Sequence, residues 1–280
     1  MRGSEGEGGR SDMDCIEIET TAEALERSMT FHFVKEIIGY VLYMNQQIPA
    51  VLQDLTLEFD SLQSERKSLE LALSQEEMKA SSRRKHNGRM RELKQGVRKL
   101  EKLMNSISNI QTAMQLVLNE IPDIQGVIIV LGSNPVRPRH VYEMCFSHGK
   151  VTMELTNDFT KSKAAEMLSR KAIRSLISKG AESMPYASPT KLFLLVKAPS
   201  SFNLPAHFLP KRDFRYSRKV VPCRLCVKCK IKDQDMDASQ HSPQTATPNK
   251  SPDSTENDLI WFQCRHTIKG LPSPTPQTEE

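Results

Sequence analysis

Near its C-terminus the chain reads Asp258-Leu-Ile-Trp-Phe-Gln-Cys-Arg-His-Thr-Ile-Lys-Gly270, and this stretch decides how the fold closes. It contains the only tryptophan, Trp261, in an apolar run between two segments rich in proline and polar residues. A lone strand is not stable in water, so this one needs partners from distant parts of the chain. We therefore predict a C-terminal arm that adds a strand to a sheet built earlier in the sequence.

The arm should be anchored by its large apolar side chains. Side chains of a strand alternate between its two faces, so Trp261 and Phe262 should point to opposite sides. One should enter the core, and the other should be covered by a helix or a belt-like segment. The anchoring residues of this self-locking arm are predicted to be Ile260, Trp261, Phe262 and Ile268.

Composition is that of an intracellular protein with solvated ends. Only 38% of the 280 residues are hydrophobic, which is low for a chain packed throughout. The longest apolar runs fall far short of the ~20 residues that a membrane span needs, and the polar N-terminus lacks the apolar core of a signal peptide. We expect no membrane association, a cytosolic or nuclear location, and reduced cysteines.

The hydrophobic pattern predicts clustered helices followed mostly by strands. Helices are expected from about Ala22 to Gln47, from Pro49 to about Leu73, from the end of a basic loop near Met90 to Pro122, and from Phe159 to Lys179, capped by Asn157 or Asp158. Besides the arm, strands are expected at 126–132, 140–146, 151–155, 191–197 and 220–231. This order favours an α+β fold over a parallel βαβ sheet.

One folded unit is predicted, spanning residues 28–270. A leader at 1–27 and a tail at 271–280 are expected to be disordered. Inside the unit, a basic loop at about 76–92 and a Pro/Ser-rich loop at about 233–257 are expected to be disordered as well.

Positive charge is concentrated in one block. Between Lys79 and Lys102 there are ten Lys or Arg residues against two Glu. Such a block can be a nuclear-import address, a nucleic-acid-binding segment or a solvated surface, the last being the default interpretation. It contains no aromatic residue on which a base could stack, so nucleic-acid binding is the weakest of the three.

No catalytic motif recommends an enzyme. The sequence has no P-loop, dinucleotide fingerprint, nucleophile elbow or H-E-x-x-H motif, and its seven histidines are scattered. We therefore expect a non-enzymatic protein without a cofactor.

A cysteine cluster is the best candidate metal site. Zinc usually takes about four thiolate or imidazole ligands from paired C-x-x-C units, and the second pair is missing here. Ordinary strand cysteines are therefore the preferred interpretation, since cysteine is a common buried side chain. The zinc alternative uses Cys223, Cys226 and Cys229, with a fourth ligand from Cys264 or His266.

The helix predicted at 159–179 has features of a protein-binding surface, which the sequence supports better than the metal site. One interpretation is a core helix with a solvated rim. The sharper one is a partner hot spot around Ile173, because apolar anchors flanked by arginine mark protein interfaces. The candidate partner-binding residues on this helix are Arg170, Ile173, Arg174 and Ile177.

Several stretches together resemble the comet branch of the HORMA-like family. They are Tyr43-Met-Asn-Gln-Gln-Ile-Pro49, Gly126-Val-Ile-Ile-Val-Leu-Gly-Ser133, Val141-Tyr-Glu143, Ile260-Trp-Phe-Gln263 and Thr267-Ile-Lys-Gly270. The resemblance covers about residues 29–270 and is most specific at its two ends. It implies a HORMA-like α+β domain with three helices packed on a mainly antiparallel sheet and a C-terminal safety-belt-like segment.

The resemblance also implies a function. Comet proteins bind the checkpoint protein closed Mad-two and present it to an AAA+ remodelling ATPase. The mitotic checkpoint complex then falls apart, which silences the spindle assembly checkpoint. The resemblance adds Tyr43, Met44, Gln46 and Gln47 to the candidate partner-binding residues.

The resemblance also implies a location in nucleus and cytoplasm, at the spindle or kinetochore in mitosis. It further implies that the C-terminal arm occupies the protein's own safety belt. The alternative function is a zinc- or nucleic-acid-binding nuclear regulator that uses the Cys223 cluster and the basic block.

Overall fold

A single sheet and four helices account for the regular structure at residues 15–74, 80–148, 159–179, 189–229 and 258–271, which the computed structural model describes. The helices are α1 (Arg27–Met44), α2 (Leu52–Ser74), α3 (Ala80–Glu120) and α4 (Lys163–Ser178). The strands are β1 (Cys15–Thr20), β2 (Gly126–Gly132), β3 (His140–Ser147), β4 (Lys191–Pro199), β5 (Phe208–Lys211), β6 (Cys223–Cys229), β7 (Leu259–Cys264) and β8 (Ile268–Lys269).

The strands lie in the order β1-β6-β3-β2-β4-β7-β5, with β8 beside β4. β6 runs parallel to both β1 and β3, and the other pairs are antiparallel. The predicted α+β class and mainly antiparallel sheet are confirmed. The count of three helices that the family resemblance implies is wrong, whereas the four helices predicted from the hydrophobic pattern are present as α1 to α4.

The continuous apolar run of β2 is explained by its central position. Every residue of β2 is buried, since β3 and β4 flank it and both faces of the sheet are covered. Val127, Ile129 and Leu131 join the large core beneath the helices. Ile128 and Val130 join a smaller cluster on the opposite face.

That opposite face is crossed by residues 212–222, which we call the strap. β5 and β6 lie five strand spacings apart in the sheet, about 24 Å, so the segment that joins them must cross the strands between. Phe214, Tyr216 and Val220 of the strap pack on the smaller cluster. The Tyr216 hydroxyl donates a hydrogen bond to Glu143, whose other carboxylate oxygen accepts one from Arg224 at 2.9 Å.

The N-terminal leader begins the fold earlier than predicted. Residues 15–20 form β1 beside β6, and α1 starts at Arg27 rather than near Ala22. The sequence Cys-Ile-Glu-Ile-Glu-Thr alternates apolar and polar residues with the period of a half-buried strand. Ile16 and Ile18 are buried in the large core, so the expectation of disorder across the whole leader is wrong.

The basic loop expected at about 76–92 is helical from Ala80 onward. α2 and α3 form an antiparallel hairpin in which the Arg89 guanidinium contacts Glu65 at 2.8 and 3.0 Å. Met90 and Leu93 are buried and continue the apolar stripe of α3. Residues 80–120 lack proline and are rich in Lys, Arg, Glu, Leu and Gln, which are good helix formers.

The remaining predicted strands, the predicted cap of α4 and the Pro/Ser-rich loop have different outcomes. The strands predicted at 126–132, 140–146 and 191–197 are confirmed, and β6 lies within the predicted 220–231. α4 is capped by Ser162, whose hydroxyl accepts a hydrogen bond from the Ala165 N–H at 3.1 Å, rather than by Asn157 or Asp158. The strand at 151–155 and the loop at 233–257 lie outside the described residues.

No helix in the portion of the chain that the structure describes combines the length and apolar character needed to cross a membrane.

Candidate partner-binding site

The partner-binding candidates from the sequence fall on α1, on the turn that follows it, and on α4, which packs against α1. Tyr40, one turn before Tyr43, and Lys179, two residues after Ile177, both interact electrostatically with Cys223 at the start of β6. The C-terminal ends of α1 and α4 therefore lie at the same end of the helical layer.

α4 has one buried and one exposed face. Its buried face consists of Ala165, Leu168, Ser169, Ala172 and Leu176. The opposite face exposes two large apolar side chains, Met167 at 58% and Ile177 at 57% of their surface. At 100° per residue these two lie near Arg170 and Arg174, which are both exposed. This face of α4 thus combines apolar anchors with guanidinium groups.

Ile173 does not stand at the centre of that exposed face. It is half-buried and packs against the large core, so it is less exposed than Met167 and Ile177. Its role as a partner hot spot stays a prediction. Around the axis of α4, Ile173 lies only 60° from Leu176, which belongs to the buried face. This position explains why Ile173 is partly buried. Ile177 and Met167 are the large apolar side chains that α4 exposes.

The end of α1 gives a mixed result. Tyr43 is 44% exposed, Met44 is half-buried, and Gln46 is exposed with a positive φ of 53°. Tyr43 can contact a partner at the same end of the layer as Ile177. Asn45, between Met44 and Gln46 in the sequence, is buried. Its side-chain amide donates to the Val41 carbonyl at 2.8 Å and to the Tyr142 hydroxyl at 3.1 Å.

Gln47 is not available to a partner. It is fully buried, its Oε1 accepts a hydrogen bond from the Thr190 N–H at 2.6 Å, and its Nε2 donates to the Asn45 carbonyl at 2.8 Å. Its own carbonyl accepts from the Leu271 N–H at 2.8 Å. The prediction that Gln47 faces a partner is therefore corrected: this residue holds the end of the arm. An amide in a Gln-Gln pair gives no sequence signal of that role.

The arm adds a strand to the sheet, as predicted. β7 pairs with β4 on one side and with β5 on the other. Ile260 and Phe262 enter the large core, where the Phe262 ring packs edge-on against Phe202 with centroids 5.0 Å apart. Trp261 lies on the opposite face, beneath Phe214 of the strap, with ring centroids 6.5 Å apart. The predicted alternation of Trp261 and Phe262 is thus confirmed.

The arm continues through β8 to residue 271. Ile268 is fully buried and in register with Leu192 of β4. The Gly270 N–H then donates to the Thr190 carbonyl at 3.0 Å, just before Leu271 binds Gln47. The arm is therefore hydrogen-bonded to the fold along its described length, and the remaining tail, 272–280, lies outside the described residues.

The cysteines considered for zinc do not come together. Cys223 and Cys229 share the core side of β6, whereas Cys226 points to the other face and forms a disulfide with Cys15. Cys264 lies four strands away in β7, about 19 Å, and burial raises the pKa of its thiol to about 11. Within the described ranges, no group of three or more His, Cys, Asp or Glu residues could hold a metal ion. The disulfide also corrects the expectation that every cysteine is reduced.

The basic block lies mainly on the surface of α3. Arg83, Arg84 and Lys85 are exposed, while Arg89 is engaged by Glu65 and Glu92. The block is thus a solvated helix face and not a flexible loop.

No model of a known protein family matches the chain, and no curated protein sequence matches it either.

Proposed function

We propose that the protein is a non-enzymatic adaptor of the comet type. It binds closed Mad-two and presents it to an AAA+ remodelling ATPase. This promotes disassembly of the mitotic checkpoint complex and silences the spindle assembly checkpoint. The observation that carries the proposal is the arm, which lies between β4 and β5 under the strap and ends on Gln47.

The arm of the protein itself pairs with β4 and β5, and this supports an adaptor that needs no external peptide. In the proposed HORMA-like fold, the strap acts as the safety belt and β7 takes the place that a bound peptide would occupy. Main-chain pairing of β7 on both edges satisfies its hydrogen bonds from within the chain. The protein then offers its helical layer, and not a peptide groove, to its partner.

The exposed face of α4 and the nearby end of α1 have the composition of an interface. We assign partner contact to Tyr43 on α1 and to Met167, Arg170, Arg174 and Ile177 on α4. Aromatic residues, Met and Arg are the side chains enriched at protein interfaces. Arg170 is already held by the Glu166 carboxylate one turn away, which fixes its guanidinium near the apolar anchors.

The basic block supports a nuclear pool of the protein. We propose that it resides in nucleus and cytoplasm and associates with the spindle or kinetochore in mitosis. The alternative, a zinc- or nucleic-acid-binding regulator, has less support because the four candidate cysteines lie apart and the block has no aromatic residue.

Binding of the full chain to purified closed Mad-two, measured by isothermal titration calorimetry, tests the proposal. Ile177→Asp places a charge where an apolar anchor would be desolvated, and we expect affinity to fall at least about tenfold with an unchanged melting temperature. Leu57→Asp is the matched control, because Leu57 is similarly exposed (63%) but lies on α2. It should bind like the wild type.

Two results would contradict the proposal. Absence of binding by the wild-type chain rejects the adaptor function itself. Normal binding by Ile177→Asp places the interface away from α4. Ile173→Asp serves as a further comparison, since its half-buried position predicts that it lowers the melting temperature as well as the affinity.

A further inference from the structure

Three cysteines lie close together on the outer face of the sheet, on three neighbouring strands. They are Cys15 of β1, Cys226 of β6 and Cys145 of β3. The residues next to each cysteine in sequence face the large core, so the three sulfur atoms point to the opposite side. Those core-facing neighbours are Ile16, Leu225, Val227, Met144 and Phe146. The other thiols of the described strands, Cys223, Cys229 and Cys264, do not share this face.

Cys226 lies between two possible bonding partners. On one side it forms a disulfide with Cys15, with Cα atoms 6.3 Å apart. On the other side it is in register with Cys145 across the β3–β6 pair. Neighbouring strands lie about 4.8 Å apart, which is inside the Cα separation of roughly 4.4–6.8 Å that disulfides span. Both pairings of Cys226 therefore fit the sheet as it stands.

We propose that Cys15, Cys226 and Cys145 form a thiol–disulfide exchange site. The Cys145 thiolate attacks the sulfur of Cys226, and a Cys145–Cys226 bond forms as the Cys15–Cys226 bond breaks. Cys15 leaves as a thiolate and takes up the proton that Cys145 released. The number of disulfides stays at one, so the step consumes no oxidant or reductant.

The geometry favours this direction of attack. Cys15 and Cys145 lie on the strands at opposite sides of β6, and Cys15 is in register with Arg224, two residues before Cys226. Cys145 therefore approaches Cys226 from the side away from Cys15. Cys145 is exposed and free, so its thiol is also open to reagents in solution. Desolvation and the charge of Glu143 raise its pKa, while Arg224 and Lys197 oppose that shift. The exchange should therefore speed up with rising pH as the thiolate forms.

The exchange would change how the N-terminal strand is held. With Cys15 bonded, β1 is covalently attached to β6. After exchange, β1 is held by its strand pairing and its packing on α4, where Lys171 donates to the Glu19 carbonyl at 3.2 Å. The covalent bond then joins β6 to β3 in the interior of the sheet. This consequence does not depend on the identity of the partner protein.

Disulfide mapping of the full chain tests the site. Protein purified without reductant is incubated at about pH 8.5, near the usual pKa of a thiol, then alkylated, digested and analysed by mass spectrometry. We expect a Cys15–Cys226 linkage at the start and a growing Cys145–Cys226 linkage with alkylated Cys15. Cys145→Ser should retain the first linkage alone, and Cys223→Ser, a core-facing control, should behave like the wild type.

The Cys15→Ser variant tests the Cys145–Cys226 pairing even if the wild-type equilibrium favours the Cys15–Cys226 bond, because Cys15 can no longer compete for Cys226. After oxidation with glutathione disulfide it should form the Cys145–Cys226 linkage. Failure to detect that linkage in both the wild type and Cys15→Ser overturns the proposal. So does a wild-type chain whose Cys15, Cys145 and Cys226 remain unbonded to each other after the same oxidation.

Discussion

Gly270 lies against Gln47 so closely that a Cβ on the glycine would sit 2.8 Å from both the carbonyl oxygen and Oε1 of Gln47. The same glycine donates its N–H to Thr190, whose own N–H donates to Gln47 Oε1. The end of the arm, the turn after α1 and the start of β4 are therefore one hydrogen-bonded unit. Only a residue without a side chain fits at position 270.

Gly270→Ala should destabilise the protein. The added methyl would meet backbone oxygen, which cannot move aside as a flexible side chain can, and overpacking of this kind costs about 1–3 kcal/mol. Urea unfolding followed by circular dichroism measures the change. Gly88→Ala is the control, because a Cβ there meets nothing within 4 Å, and alanine in a helix should stabilise α3 by about 0.5–1 kcal/mol. Equal stability of the two variants would contradict the close contact at Gly270.

Gln47→Ala and Gln46→Ala should separate the anchoring residue from its exposed neighbour. Removal of the Gln47 amide leaves the part-buried Thr190 N–H without its acceptor, which costs about 1–3 kcal/mol. Gln46 is exposed, so its truncation should leave stability within about 0.5 kcal/mol. Chemical unfolding of both variants provides the measurement. A Gln47→Ala protein as stable as the wild type would contradict the anchoring role of Gln47.

Phe262→Ala should loosen the whole arm. Phe262 is 3% exposed and packs on Phe202, so its loss should cost about 3–5 kcal/mol. In the wild type, hydrogen exchange at Leu259–Cys264 should be slow because β7 is paired on both edges. The variant should exchange faster there. Fast exchange in the wild type would mean that the arm detaches and would weaken the self-locked interpretation.

Part of this architecture could be predicted from the sequence because some segments carry their own pattern. The continuous apolar run at β2 predicts a central buried strand, and the isolated apolar arm predicts a strand added to a distant part of the sheet. β1 was missed because its alternation covers only six residues and follows a polar leader. The helical start of α3 was missed because a dense positive charge suggests a solvated loop, although Arg and Lys also favour helix. The burial of Gln47 depends on residues at 190 and 271, and no local pattern reports such distant contacts.

His266 should make stability depend on pH below neutrality. Its Nε2 lies 3.0 Å from His207 Nδ1, and burial, together with the charge of His207, lowers the pKa of His266. In the unfolded chain a histidine takes up a proton near pH 6.5, whereas folded His266 does so only at lower pH. The unfolded state therefore binds more protons in that window, and stability falls as pH falls through it.

His266→Gln tests this expectation by removing the titrating group. Unfolding free energies measured between about pH 5 and pH 8 should show a shallower decline below pH 6.5 in the variant than in the wild type. His32 and His140, whose pKa values are also lowered by burial, should keep part of the decline. Identical pH profiles would show that the contact of His207 with His266 does not bias protonation.

The basic residues at the start of α3 should act in nuclear import and not in folding. Replacing Arg83, Arg84 and Lys85 by Gln should reduce nuclear accumulation of the full chain, measured by fluorescence imaging of a fusion protein. The melting temperature should stay the same or rise slightly, because the three side chains are exposed and positive charge opposes the dipole at a helix N-terminus. The same replacement at Arg98, Lys99 and Lys102 removes as much charge from the other end of the basic block, where these side chains are exposed on α3. Equal loss of nuclear signal in both variants would point to total charge, and unchanged localisation in the first would leave the block as solvated surface.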